Sequence, residues 1–148
     1  MSAIDLYARK TAGFEERLAH TVAMLKEAVA AHGGRIVQST SLGVEDMVVT
    51  DLISRHGLGG AQGIAIATLD TGMLHPQTLE LLAQTRASSR APVTVYRPVA
   101  EQVVQFVARE GQDAMYRSIA LRKACCHIRK IEPLARALDG QRAWITGL

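Results

Sequence analysis

The chain has 148 residues, of which 48% are hydrophobic and 21% charged, enough apolar material to close one buried core and too much for a disordered segment. Its net charge of +3 comes from Lys and Arg scattered along the chain, and aromatics are only 4%, which argues against a stacking platform for nucleic acid and leaves a small anion as the simpler partner. No apolar run approaches the roughly 18 residues of a membrane span, and no stretch near the start reads as a signal peptide, so a cytoplasmic protein bound to neither membrane nor nucleic acid is expected.

Residues 11 to 31 place Phe14, Leu18, Val22, Leu25 and Val29 on one helical face, and His32, Gly33 and Gly34 follow as a stop. "RIVQST" is short and β-branched and predicts a strand. The next segment, "SLGVEDMVVTDLISRHG", has helical spacing at Val44, Met47, Val48 and Leu52, with Gly57 placed to end it. "GIAIATLD" is a continuous apolar run that predicts a buried strand, and "HPQTLELLAQTRAS" predicts a helix with Pro76 in its first turn. A third strand, "VTVYRP", precedes the helix "VAEQVVQFVARE". Residues 113 to 138 read as mainly helical with Pro133 breaking or restarting the helix, and "RAWITG" reads as a fourth short strand. Alternating strand and helix predicts an α/β fold with a parallel sheet covered on its faces, and residues 1–148 read as a single domain. The chain stops just after the fourth strand, where such a domain normally continues, so the sequence reads as cut short at its C-terminus.

Ligands of open parallel sheets lie beyond the carboxyl ends of the strands, where helix N-termini offer free amides. Two strand ends carry suitable residues. "STSLG", Ser39 to Gly43, supplies three hydroxyls and a glycine ahead of a helix, which suits a loop around a phosphate or sulfate and suits a plain helix cap equally. Neither G-x-x-x-x-G-K-[ST] nor G-x-G-x-x-G occurs in the chain. "LDTGMLHP" puts Asp70, Thr71 and Gly72 in a turn, where Asp70 could meet a ribose hydroxyl or cap the following helix. Glu45 and Asp46 fall in the first turn of their helix, where they favour its dipole but would repel an anion they faced; they are expected to point aside or to contact ribose.

The two cysteines, Cys125 and Cys126, are adjacent. Between Ala114 and Ile131 lie five Lys or Arg residues, one His and no acid, surroundings that favour thiolates. Four readings compete for the pair: small buried residues in a core helix, a strained vicinal disulfide, a zinc site that lacks the usual C-x₂-C partners, and half of an iron–sulfur site. Residues alone leave these open.

The ordered set "STSLGVEDMVVTDLI", "LDTGMLHPQT" and "RKACCHIRKIEPLARAL…AWITGL" resembles the assimilatory sulfonucleotide reductases, in particular the adenylylsulfate (APS) reductases that carry a [4Fe–4S] cluster. The similarity runs from about residue 35 to the end of the chain. It implies a Rossmann-like, adenine nucleotide alpha hydrolase-like domain with a modified pyrophosphate loop. By resemblance, Ser39, Ser41, Leu42 and Gly43 cradle the phosphosulfate of adenosine 5′-phosphosulfate, Leu69, Asp70, Thr71 and Gly72 border the adenosine, and Gly147 belongs to a further nucleotide-side loop. Cys125 and Cys126 match the first two cluster ligands, and Lys123 matches a lysine between cluster and substrate that polarises the sulfate. The implied chemistry is thiolate attack on the sulfur of APS, giving AMP and an enzyme S-sulfocysteine, from which thioredoxin or a similar thiol releases sulfite. The cluster's implied role is structural and electrostatic.

Met73 and Gln77 depart from the polar or basic residue and the Glu expected in the second motif. The family's second cysteine pair and nucleophilic cysteine have no counterpart here, so this polypeptide alone is expected to be inactive. The alternatives are a phosphoadenylylsulfate (PAPS) reductase, whose members generally lack the paired cysteines, a pyrophosphate-loop ligase or sulfurtransferase, whose S-G-G-x-D-S type loop "STSLGVED" fits poorly, and a non-catalytic nucleotide-binding fragment. Oligomeric state is open, a homo-oligomer included.

Overall fold

A computed structural model describes residues 9–147. Four strands, β1 (Ile36–Thr40), β2 (Ile64–Leu69), β3 (Val93–Tyr96) and β4 (Ala143–Ile145), form one parallel sheet in the order β3-β2-β1-β4. The chain therefore winds from β1 outward to β3 and returns to add β4 on the other side of β1. That reversal places a crevice at the carboxyl ends of β1 and β4.

One face of the sheet carries the main core. Ile36, Ile64, Ile66 and Val93 pack there against Val22 and Leu25 of α1 (Phe14–His32), Leu52 and Ile53 of α2 (Val44–Arg55) and Leu82 of α3 (Pro76–Ser88). Helix α1 ends as its glycines predict: Gly33 adopts φ 45°, and its N–H donates to the Val29 carbonyl. Phe14, expected on the packing face, lies in the first turn and is exposed.

The inner edge of α2 differs from the apolar spacing. Val44 and Val48 are 77% and 54% exposed, while Asp46, Thr50, Leu52 and Ile53 are buried. Hydrogen bonds set this rotation. Gln38, wholly buried in β1, donates from Nε2 to the Asp46 carbonyl at 2.9 Å and accepts from Thr50 Oγ1 at 3.1 Å. A buried amide without partners would be costly, so satisfying Gln38 outranks burying two valines.

The opposite face is thinner: Val37 and Ala67 pack on Ala137 of α7 (Glu132–Leu138). Between β3 and α7 run α4 (Ala100–Glu110), α5 (Ala114–Arg117) and α6 (Ile119–Cys126), whose Phe106, Ala114 and Cys125 form a small separate core. Helices α6 and α7 are joined by a π-helical turn, His127–Ile131, with the Glu132 N–H donating to the His127 carbonyl. Pro133 explains the widening. It has no N–H for the Arg129 carbonyl four residues back, and its ring would press on that carbonyl, so the helix loosens there and restarts.

Candidate functional site

A cavity of about 510 Å³ opens at the carboxyl ends of the strands, lined at β1 by Ser39, Thr40 and Ser41, at β2 by Leu69 and Thr71, and after β4 by Thr146 and Gly147. Of the residues expected at a nucleotide, Ser39, Ser41, Leu69, Thr71 and Gly147 line it. Leu42, Gly43, Asp70 and Gly72, expected there too, are not among its lining residues. Leu42 is buried at φ 65°, a left-handed conformation that is strained for a leucine and that turns the loop sharply after β1. Thr40 Oγ1 accepts from its N–H at 3.0 Å, and Ser41 Oγ accepts from Gly43 N–H at 3.2 Å. Asp70 caps its own turn through Gly72 N–H at 3.0 Å and pairs with Arg97 Nε at 3.0 Å, so the carboxylate is occupied within the fold.

Asp46 does not point aside. Oδ2 accepts from Ser41 N–H and Ser41 Oγ, each at 2.6 Å, and Oδ1 accepts from Gly147 N–H at 2.8 Å. Burial pushes this carboxyl up, but the hydrogen bonds from Ser41 and Gly147 outweigh burial and hold it below the ordinary carboxylate value. Gly147 lies so close to the start of α2 that a Cβ there would sit 2.5 Å from Asp46 N. Ser39 Oγ accepts from Trp144 Nε1 at 2.7 Å, a second tie between β1 and β4.

A second cavity, about 260 Å³, is lined by Cys125, Cys126, Met73, Met115, Arg129 and Lys130, among others. Both thiols are free, Cys125 buried and Cys126 partly so. Thr71, Leu74 and Lys130 line both cavities, so the thiols and the strand-end crevice share a wall. Lys123, expected between them, is exposed and lines neither; Lys130 stands in that place. Lys130 follows Cys126 by four residues and so shares its helical face, and the π turn, which advances each residue by less than the α-helical 100°, preserves that alignment. Arg129 also donates from Nη1 to the Thr71 carbonyl at 2.7 Å, fastening the turn to the loop after β2. Met73 is a cavity residue, and Gln77 is exposed on α3. Sequence reading named Asp46 as a first-turn acid expected to point aside or to contact ribose, and missed its bonds to Ser41 and Gly147, for which the pair of a serine loop and an acid at the third helical position was the available signal; the π turn was not foreseen.

Among the described residues, no group of three or more His, Cys, Asp and Glu is placed to hold a metal ion, and no helix is long and apolar enough to cross a membrane. Fold and site together define an α/β protein of Rossmann-like type, with a crevice at its strand ends that carries hydroxyls on an otherwise largely apolar lining, and a thiol-lined cavity adjoining it. Residues 35–148 match the phosphoadenosine phosphosulfate reductase domain, and the chain belongs to that family. It is 47% identical over 113 residues to the adenosine 5′-phosphosulfate reductase of Allochromatium vinosum, covering 76% of this chain and 43% of that protein. To the protein of the same name from Neisseria meningitidis serogroup B it is 42% identical over 141 residues, covering 95% of this chain and 52% of the relative. The chain thus spans about half the length of the curated relatives it matches. In fold it is similar to the crystal structure of phosphoadenylyl-sulfate reductase from Candida auris in its phosphate complex, with a TM-score of 0.69 at 23% identity, over 95% of this chain and 69% of that one.

Proposed function

We propose that this chain forms the nucleotide-binding part of an adenylylsulfate reductase, which reduces adenosine 5′-phosphosulfate to sulfite and AMP in sulfate assimilation. The observation that carries the reading is the shared wall: Lys130 and Thr71 face both the strand-end crevice and the thiol cavity, so a sulfate at the end of a bound nucleotide would meet a cation on the thiol side. The names of the relatives supply the substrate, adenosine 5′-phosphosulfate.

In this reading the adenosine lies along Leu69 to Thr71, and the phosphosulfate lies over the hydroxyls of Ser39, Thr40 and Ser41. Lys130 balances the sulfate's charge and draws electron density from its sulfur. A cysteine thiolate attacks that sulfur, the bond from sulfur to the phosphate oxygen breaks, and AMP leaves with the electron pair. The product on the enzyme is an S-sulfocysteine, from which a dithiol of the thioredoxin class displaces sulfite as its own thiols become a disulfide. Both cysteines of this chain belong to the second cavity, so the attacking thiol is supplied from elsewhere.

Cys125 and Cys126 fit two of the four thiolate positions of a [4Fe–4S] cluster: they share one cavity, they are unpaired, and Arg129 and Lys130 beside them would offset a thiolate-ligated cluster's negative charge. When bound, such a cluster would contribute structure and electrostatic field beside the sulfate. Free thiols suit a reducing compartment, the cytoplasm.

The test is anaerobic purification of the full-length protein followed by assay of AMP and sulfite release from adenosine 5′-phosphosulfate with a dithiol reductant. Turnover of this substrate in preference to PAPS supports the proposal. Preference for PAPS, or no turnover with either, would refute it.

A further inference from the structure

Asp46 is the acidic residue in the lining of the strand-end crevice, and its reach goes beyond that of a helix cap. Gly43 is the N-cap of α2, so Asp46 is its third residue, from which a carboxylate can bend back to an amide ahead of the helix. Ser41 N–H and Ser41 Oγ fill that capping role on Oδ2. The second oxygen serves no helix end: it accepts from Gly147 N–H, 101 residues further along the chain. Ser41 and Gly147 both wall the crevice, one after β1 and one after β4.

Asp46 is itself held at both ends. Its backbone carbonyl accepts from Gln38 Nε2 at 2.9 Å and lies 2.9 Å from Thr50 Oγ1, whose single proton it shares with Gln38 Oε1, so the residue's position is fixed from the sheet's interior. Its charge is met at close range by three donors and by the N-terminus of α2, so it is largely compensated within the protein.

We infer that Asp46 is a positioning residue for the phosphate side of the crevice. It clamps the β1–α2 loop to the segment after β4, and through Ser41 and Gly147 it sets the shape that receives the nucleotide's phosphate end. The inference rests on the nucleotide reading above, and its test separates the two.

The wild-type chain, Asp46→Asn and Asp46→Ala are titrated with AMP and with adenosine, after a thermal melt shows that each is folded. Expected is a fall in AMP affinity of about tenfold in both variants, the scale of one charge-assisted hydrogen bond, with adenosine affinity within about twofold of wild type. A parallel fall for both ligands, an unchanged AMP affinity, or a gain in AMP affinity from removing a repelling charge would each overturn the inference. If Asp46→Ala does not fold, the nearly isosteric Asp46→Asn carries the test. Amide hydrogen exchange provides an arm that needs no ligand: Ser41 and Gly147 should exchange faster in Asp46→Asn while the core strands keep their protection, and unchanged exchange at both would overturn the clamp. Wild-type protein that binds neither ligand defeats the nucleotide reading, and the exchange arm then still decides the clamp.

Discussion

Replacing Lys130 by methionine keeps a long flexible stem and removes the charge. The structure places this ammonium on the wall shared by the crevice and the thiol cavity, whereas Lys123 lies outside both. Two unit charges about 4 Å apart attract by about 1 kcal/mol in water and about 4 kcal/mol at the effective dielectric of a protein surface. Lys130 is exposed in an open crevice, so solvent screening puts its contribution at about 1–2 kcal/mol, which is about five- to thirtyfold in affinity. Equilibrium titration with adenosine 5′-phosphosulfate should therefore show Lys130→Met weakened by that factor and Lys123→Met within about twofold of wild type. The loss should shrink as salt rises from about 0.05 to 0.5 M, because screening already weakens the wild-type interaction. The opposite ranking, with Lys123→Met impaired and Lys130→Met normal, would refute the placement of Lys130 as the cation of the shared wall.

Three further substitutions probe other parts of the argument. Gly147→Ala drives a Cβ to within 2.5 Å of the Asp46 amide nitrogen, so the segment after β4 must lift away; AMP affinity should fall severalfold, and a titration indistinguishable from wild type would contradict the close approach. Ile53→Ala empties a wholly buried position in the main core at a cost of about 2–5 kcal/mol, which a thermal melt should read as a drop of roughly 10 °C. The Asp46 carboxyl is held below its ordinary value near 3.8, so its stabilisation is present above that pH and is lost as the pH falls through the lower folded value. Wild type should accordingly exceed Asp46→Asn in denaturant stability at pH 6, and the two should converge in strong acid; a gap that persists there would show that the charge is not its source.

In the full-length protein purified without oxygen, wild type should carry iron and acid-labile sulfide and Cys125→Ser should carry neither, measured against protein concentration. A wild-type protein free of iron would defeat the cluster reading of the thiol pair.

Much of the fold was legible in the chain because a parallel strand buried on both faces leaves a continuous apolar run, as in "GIAIATLD", and because "RIVQST" is short and β-branched. Glycines after α1 and Pro76 at the start of α3 marked ends that depend on local backbone preference alone. The face of α2 was legible only in part: Met47 and Leu52 meet the core as their spacing predicts, while Val44 and Val48 do not. Hydrophobic spacing pointed to Val44 and Val48, but a buried glutamine on a neighbouring strand decided the rotation, and no pattern within the helix records that partner.

The site divides in the same way. Sequence by itself determined which loops face the crevice, since strand ends and the helices after them are local features: Ser39, Ser41, Leu69 and Thr71 all line it. It also determined that the thiols are adjacent and set among cations. Only the tertiary structure decided which cation stands between thiols and crevice, because the common wall is completed by Thr71 and Leu74 from the loop after β2, against which Lys130 and not Lys123 is packed. Likewise, only the return of β4 to the side of β1 brings Gly147 to Asp46, since a hydrogen bond across 101 residues depends on topology and leaves no periodic trace in the chain.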